Sequence, residues 1–264
     1  MSLSTLIGVL GALGVFLGSI FIATDNWSVF VDLPSFIMVF GGALTRTFIA
    51  YEPRYVIISL KLLSKVFAKP VIGRDVLKAE VGRIIKWGYL VQKNGVPALE
   101  SEAKKSVKGD RFLQFGVEMV ISGYSGEEIR GILTTTIETT YGRNMVPVKI
   151  LTSLGAASPA FGMVGTLIGL IIMLGGMGAD PAALGAGMAV AMITTLYGVL
   201  LAQVCYMPVA DKISQRESIM RFRNYLVAEG LVLLADQKNP RFIQDKMNSF
   251  LDPAIHFNID KMKK

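Results

Sequence analysis

Cysteine and histidine are almost absent: the 264 residues hold one of each, Cys205 and His256. A lone cysteine excludes a disulfide framework and a cysteine-built zinc site. A lone histidine argues against a histidine-built metal or catalytic centre. Charge is scarce too, at 18% of residues against about 25% in a soluble domain, while apolar residues reach 52%. No Walker loop, G-x-S-x-G or H-E-x-x-H is present, nor any G-x-G-x-x-G after a strand, so the chain does not read as an enzyme. The length suffices for one large domain or two small ones. The mean hydropathy of +0.51 points to membrane spans.

A net charge of +7 could suggest nucleic acid, but the placement of the charges argues otherwise. Residues 1–45 and 155–211 contain no lysine or arginine. Apart from Arg46, every basic residue lies in 51–154 or 212–264. Confinement of basic residues to one set of segments marks the cytoplasmic side of a membrane protein.

Four apolar runs are long enough to span, each near the ~20 residues a bilayer needs: Leu6–Ala23, Phe30–Ala50, Gly155–Met177 and Ala182–Val209. The first lacks a basic n-region and reads as a retained span rather than a signal peptide. The links at 24–29 and 178–181 carry no basic residue and are expected to face outward. The 51–154 loop, the 211–264 tail and both termini are then cytoplasmic. Arg46 can snorkel to the inner interface, and Trp27 suits the outer aromatic belt. The expected fold is all-α, with four transmembrane helices and a helical cytoplasmic domain. Its parts are 1–50 (spans one and two), 51–154 (cytoplasmic loop domain), 155–210 (spans three and four) and 211–264 (cytoplasmic tail).

Within the loop, helical periodicity predicts helices over Val56–Phe67, Asp75–Val91, Pro97–Lys105, Arg111–Ile121 and Gly126–Tyr141, with Asn94-Gly95 a turn. Ser125 followed by Glu127 and Glu128 is a helix start. No proline or glycine interrupts Val209–Glu229, so the fourth span is expected to continue as helix to Asp236. A short helix over Arg241–Leu251 follows. His256 reads as an exposed tail residue.

Glycines at 8, 11, 14 and 18, at 162, 165 and 169, and small residues at 187, 191, 195, 198 and 202 recur at helical spacing. Such faces let helix backbones approach in lipid, within one subunit or between subunits. Thr166, Thr194 and Thr195 are the polar positions that stand out. Each hydroxyl can bond a carbonyl one turn back, or the set can line an ion path and offer oxygen to a hard cation such as Na+; both readings stand. Pro159 sits near the start of span three, where its missing N–H costs little. Pro208 follows a long helix and should kink it, as a fixed kink or as a hinge. Spans three and four hold no Asp, Glu, Lys, Arg or His. Ion pathways normally use an intramembrane ionisable group, so a partner must supply it, or Asp32 from the membrane edge. Asp32 reads equally as a cap for the helix opening at Pro34.

The segment Ser158-Pro159-Ala160-Phe161-Gly162-Met163-Val164-Gly165-Thr166-Leu167-Ile168-Gly169-Leu170 resembles the third transmembrane helix of the flagellar stator A subunits, the MotA/PomA family. Gly187 to Gly198, with Thr194-Thr195 inside it, and Pro208-Val209-Ala210-Asp211-Lys212 resemble the fourth, and Asn239-Pro240-Arg241 resembles a tail motif. The wider ExbB/TolQ relatives are similar in spans three and four but have three spans. The resemblance implies a homopentamer in the bacterial inner membrane around a dimer of a single-span, MotB/PomB-like B subunit. That subunit brings the ion-binding aspartate and anchors to peptidoglycan. Ion passage would turn the A ring against the rotor protein FliG. It implies coupling roles for Pro159 and Pro208 and rotor-facing roles for Lys93 and Glu100. Gln92 and Ala156 depart from the family pattern, so Glu102, Lys104 or Lys105 are further candidates for rotor contact.

Thr166, Thr194, Thr195 and Asp32 resemble the ion pathway of sodium-type members and favour Na+ over H+, although proton-type members share the threonines. No cofactor, nucleic acid or tightly bound metal is expected, only transient Na+ at Thr166 and Thr195. The rival readings are an energiser of the MotA/TolQ/ExbB type for a non-flagellar envelope machine, and a passive membrane scaffold.

Overall fold

The computed structural model describes residues 3–65, 73–107, 109–176 and 181–260, all helix or connection with no strand among them. Most of the link expected at 178–181, residues 66–67 and the side chains of Lys104 and Lys105 lie outside the described residues. Four helical stretches are long and apolar enough to cross a membrane: Thr5–Ala23, Trp27–Ala50, and parts of Gly126–Gly175 and Leu184–Ala235. The chain forms two compact units, Met1–Lys69 with Asn144–Gln215, and Pro70–Arg143 with Arg216–Lys264.

In the first unit, α1 (Leu3–Ala23) is followed by a 3-10 turn at Trp27–Phe30, then α2 (Leu33–Phe36), a π turn at Ile37–Gly41, α3 (Gly42–Ala50) and α4 (Pro53–Lys65). Asp32 caps α2 by accepting from the Ser35 N–H at 2.9 Å. The Phe36 and Phe40 rings, four residues apart, stack at 5.4 Å. Arg46 donates to Ser153 Oγ at 2.8 Å. Trp27 is exposed on the turn after α1.

The second unit is built from α5 (Arg74–Asn94), α6 (Val96–Ser106), α7 (Arg111–Ile121), the start of α8 (Gly126–Gly175), the later part of α10 (Met207–Ala235) and α11 (Pro240–Asn248). Its core follows the 3.6-residue period: Val81, Ile84, Ile85 and Val91 on α5, Ile129, Leu133 and Ile137 on α8, and Val227, Leu231 and Leu234 on α10 are all buried. Gly95, at φ +78°, ends α5 and lets α6 begin at once. Gly123 ends α7 with φ +80°, and the Tyr124 N–H returns to the Met119 carbonyl at 3.2 Å. The expected start at Ser125 is a reciprocal cap: the Ser125 N–H donates to Glu128 Oε2 at 2.8 Å and the Glu128 N–H to Ser125 Oγ at 3.3 Å. Hydrogen bonds from the Ser125 backbone and hydroxyl hold the Glu128 carboxyl below its ordinary value.

Arg223 and Glu80 are buried together, with Arg223 Nε donating to Glu80 Oε1 at 3.1 Å. Asp110 is a second partner of Arg223, and Arg83 approaches Glu80 Oε2 at 3.0 Å. Near the other helices, Glu138 accepts from Arg221 Nε and Nη2 at 2.9 and 2.8 Å. The Tyr225 hydroxyl and then Arg221 keep its carboxyl ionised to lower pH than usual.

Three expectations are corrected. The helix from Gly126 does not end at Tyr141 but runs unbroken to Gly175, with Pro147 and Pro159 inside it. Pro159 is therefore a mid-helix proline rather than a first-turn one; its ring removes the donor for the Gly155 carbonyl, and neighbouring helices must compensate. Span four does not carry a simple kink at Pro208. After α9 (Pro181–Leu200) it widens into a π segment, Leu201–Tyr206, before α10. The Met207 N–H bonds the Ala202 carbonyl five residues back, and the wide turn relieves the clash of the proline ring with the preceding turn.

Arg223→Met should leave Glu80 charged and buried, costing about 3–5 kcal/mol. A thermal melt of the detergent-solubilised chain checks this, and Glu80→Leu added to Arg223→Met should restore most of the loss.

Candidate ion pathway

The helices α8 and α9 meet along a seam of small residues. A Cβ at Gly162 would lie 3.0 Å from the Thr194 carbonyl oxygen. One at Gly169 would lie 2.6 Å from the Gly187 oxygen, and one at Gly187 2.8 Å from the Gly169 oxygen. Further along, Gly198 passes over Ser158 and Pro159, where a Cβ would come within 2.6 Å of the Ser158 oxygen. Only glycine permits such backbone contact, so the small faces of spans three and four are used within one chain. The glycines of α1 differ, since a Cβ at Gly8, Gly11, Gly14 or Gly18 meets nothing within 4 Å.

This seam brings Thr166 and Thr195 together. Their hydroxyl oxygens are 2.6 Å apart. Both reach the Ala191 carbonyl, at 3.1 Å from Thr166 and 3.3 Å from Thr195, and Thr166 also reaches the Gly162 carbonyl at 3.2 Å. Two hydroxyl protons suffice: one hydroxyl donates to the other, and the acceptor donates to a carbonyl. The cluster borders an open recess of about 410 Å³, whose other walls are Leu170, Met188, Ala191 and Met192. Chemically it is a set of neutral oxygens beside apolar walls. Such a set suits a hard cation stripped of part of its water, and it cannot hold a proton as a carboxylate would.

Thr194 stands apart from this recess. It is fully buried, its hydroxyl donates to the Val190 and Ala191 carbonyls at 2.9 and 3.1 Å, and it packs where a Cβ on Gly165 would sit 2.5 Å away. It matches the self-satisfied reading of a helical threonine.

The structure does not bring Asp32 to the threonine pair. Its carboxylate serves Ser35, through both the backbone N–H and the hydroxyl. Its backbone N–H donates to the Tyr197 hydroxyl at 2.9 Å, and that hydroxyl donates to the Phe30 carbonyl at 2.6 Å. Tyr197 follows Thr195 by two residues, about 200° round the helix, so Asp32 touches another face of α9. The sequence pattern does not mark Tyr197 as a tie between α2 and α9. Its signal was present as the tyrosine inside an otherwise apolar run, where a hydroxyl needs a partner.

The charged candidates lie in the other unit. Lys93 is exposed in the last turn of α5, and Glu100 is exposed on α6 just past the Gly95 turn. Glu102, half-buried on α6, accepts from Lys86 at 2.9 Å.

The model of the MotA/TolQ/ExbB proton channel family matches residues 104–224. Motility protein A of Cereibacter sphaeroides is 34% identical over 96% of both chains. The chain belongs to the MotA/TolQ/ExbB family. Chemotaxis protein PomA of Vibrio alginolyticus is 29% identical, again over 96% of each chain. The fold is shared with a chain of the flagellar MotAB stator complex from Bacillus subtilis, at a TM-score of 0.84 and 24% identity over 96% of this chain and 97% of that one. As a member of this family of channel and motor components the protein is not an enzyme.

Gly169→Ala should drive α8 and α9 apart, because its Cβ would meet backbone at 2.6 and 2.7 Å, whereas Gly11→Ala meets open space. Thermal melts in detergent should show a clear loss for the first and almost no change for the second.

Proposed function

We propose that this chain is the ion-path subunit of a bacterial flagellar motor stator and that it passes Na+ inward. The observation that carries this reading is the Thr166–Thr195–Ala191 oxygen cluster at 2.6 to 3.3 Å. Three neutral oxygens offer partial coordination to a dehydrated Na+, and the remaining coordination comes from water and from a carboxylate that spans three and four do not possess. A single-span B subunit supplies that aspartate and the anchor to the cell wall. The names of the relatives, Motility protein A and PomA, support the stator assignment.

The assembly is a pentamer of this chain around the B subunit in the inner membrane, with both termini cytoplasmic. The ion is cargo, and no resident cofactor takes part. Thr166 and Thr195 form the ligand pair, Thr194 packs behind them, and Asp32 holds the outer end of span two. Lys93 and Glu100, with Glu102 beside them, face FliG, while Pro159 and Pro208 couple ion passage to rotation.

Swimming speed against external sodium at fixed pH tests the reading, in a strain lacking its own stators and expressing this chain with its B subunit. Speed should rise with sodium and vanish without it. Thr195→Val keeps the shape and removes a ligand; it should raise the sodium needed for half-maximal speed about tenfold, the equivalent of losing one charge-assisted contact. Speed indifferent to sodium but abolished by a protonophore would overturn the Na+ assignment. Absence of motility with both proteins in the membrane would favour an energiser of a non-flagellar envelope machine.

Pro208→Ala restores an N–H next to the π segment and lets the helix close to regular α geometry. Rotation should slow while co-purification with the B subunit is unchanged. Wild-type speed would assign the proline to structure alone.

A further inference from the structure

Helix α1 is held loosely. Only 6% of its most apolar window is buried, and Ile7, Leu10, Val15 and Ile22 are exposed. Between it and the π segment of span four lies a groove of about 520 Å³, walled by Gly8, Ala12 and Leu13 on one side and Val204, Pro208 and Val209 on the other. Gly8 and Ala12 are what make it: side chains of ordinary size there would fill it. Its polar lining is Gln203 on the π segment and the pair at which Lys212 donates to the Thr5 hydroxyl.

A groove open to hydrocarbon with apolar walls does not hold water. An ammonium at the cytoplasmic edge of the membrane attracts lipid phosphate, and basic pockets between transmembrane helices on that side take anionic headgroups. An acyl chain matches the walls, and a phosphate matches Lys212. We infer that this groove binds one anionic phospholipid, its acyl chain between α1 and the π segment and its phosphate at Lys212. The inference rests on the reading that these helices span a membrane. The lipid fills the space where α1 lacks protein neighbours, next to the segment that absorbs Pro208.

The full chain, extracted in mild detergent, is assayed by native mass spectrometry with palmitoyl-oleoyl phosphatidylglycerol or phosphatidylcholine as probe. Alkaline carbonate extraction comes first: a chain that washes off the membrane overturns the spanning reading and the lipid site with it. For a retained chain, one phosphatidylglycerol should stay bound in preference to phosphatidylcholine. Lys212→Gln should lower its occupancy about fivefold. Gly8→Leu should also lower it, since nothing lies within 4 Å of a Cβ at Gly8 and the longer side chain extends into the groove. Equal retention of both lipids, or occupancy indifferent to both substitutions, overturns the site while leaving the membrane reading intact. Thermal stabilisation by inorganic phosphate equal to that by phosphatidylglycerol would make it an anion site and overturn it. Loss of the oligomer in Gly8→Leu with unchanged lipid occupancy would give the groove to a second copy, with the same consequence.

Discussion

The approach of α8 to α9 is the constraint from which the membrane unit follows. Lipid is as apolar as leucine, so helices there associate by close packing rather than by expulsion of water. The glycines at 162, 169, 187 and 198 let each backbone touch the other, and Gly165 makes room for the Thr194 side chain. At that separation a threonine beside the seam can reach across to the facing helix. Thr166 sits one turn from Gly162 and next to Gly165, and its hydroxyl meets both Thr195 and a carbonyl of α9. The oxygen cluster is thus a consequence of the seam: a side chain at Gly169 or Gly187 would separate the hydroxyls before it touched either of them.

Polar groups in this unit are paired by short-range means. Asp32, Ser35, Tyr197 and the Phe30 carbonyl form one connected set that ties the start of α2 to α9. Thr45, Thr47 and Ser59 each return their hydroxyl to a carbonyl four residues back. Pro159 and Pro208 lie on the same helical stretches that carry the threonines. Pro159 is crossed by Gly198, and Pro208 is accommodated by a π segment.

The second unit obeys the rules of soluble proteins. Its core is continuous, its helices are capped by Ser125, Asp110 and Asn239, and its most buried charges are matched by partners. Lys93 and Glu100 are presented by two helices joined through Gly95 and packed on that core. A rigid base of this kind holds surface charges at fixed spacing.

Much of this was legible along the chain. The four apolar runs, the Arg111–Ile121 helix, the Ser125 start and the turn at Gly95 depend on local hydropathy, periodicity and capping, and they stand where the sequence places them. Helix ends were read less well where a proline lay inside a strong helix, as at Pro159, because membrane neighbours override the usual penalty. The π segment at Leu201–Tyr206 had no local signal besides Pro208. Whether the small faces served one chain or two was open, and packing resolved it for spans three and four. The sequence by itself determined which stretches are apolar enough to leave water, since transfer free energy is a property of the residues themselves. Only the tertiary structure decided that Thr166 and Thr195, 29 positions apart, share a hydrogen bond while the adjacent Thr194 does not face them. That choice turns on the rotation and separation of two packed helices, which no spacing along one of them contains.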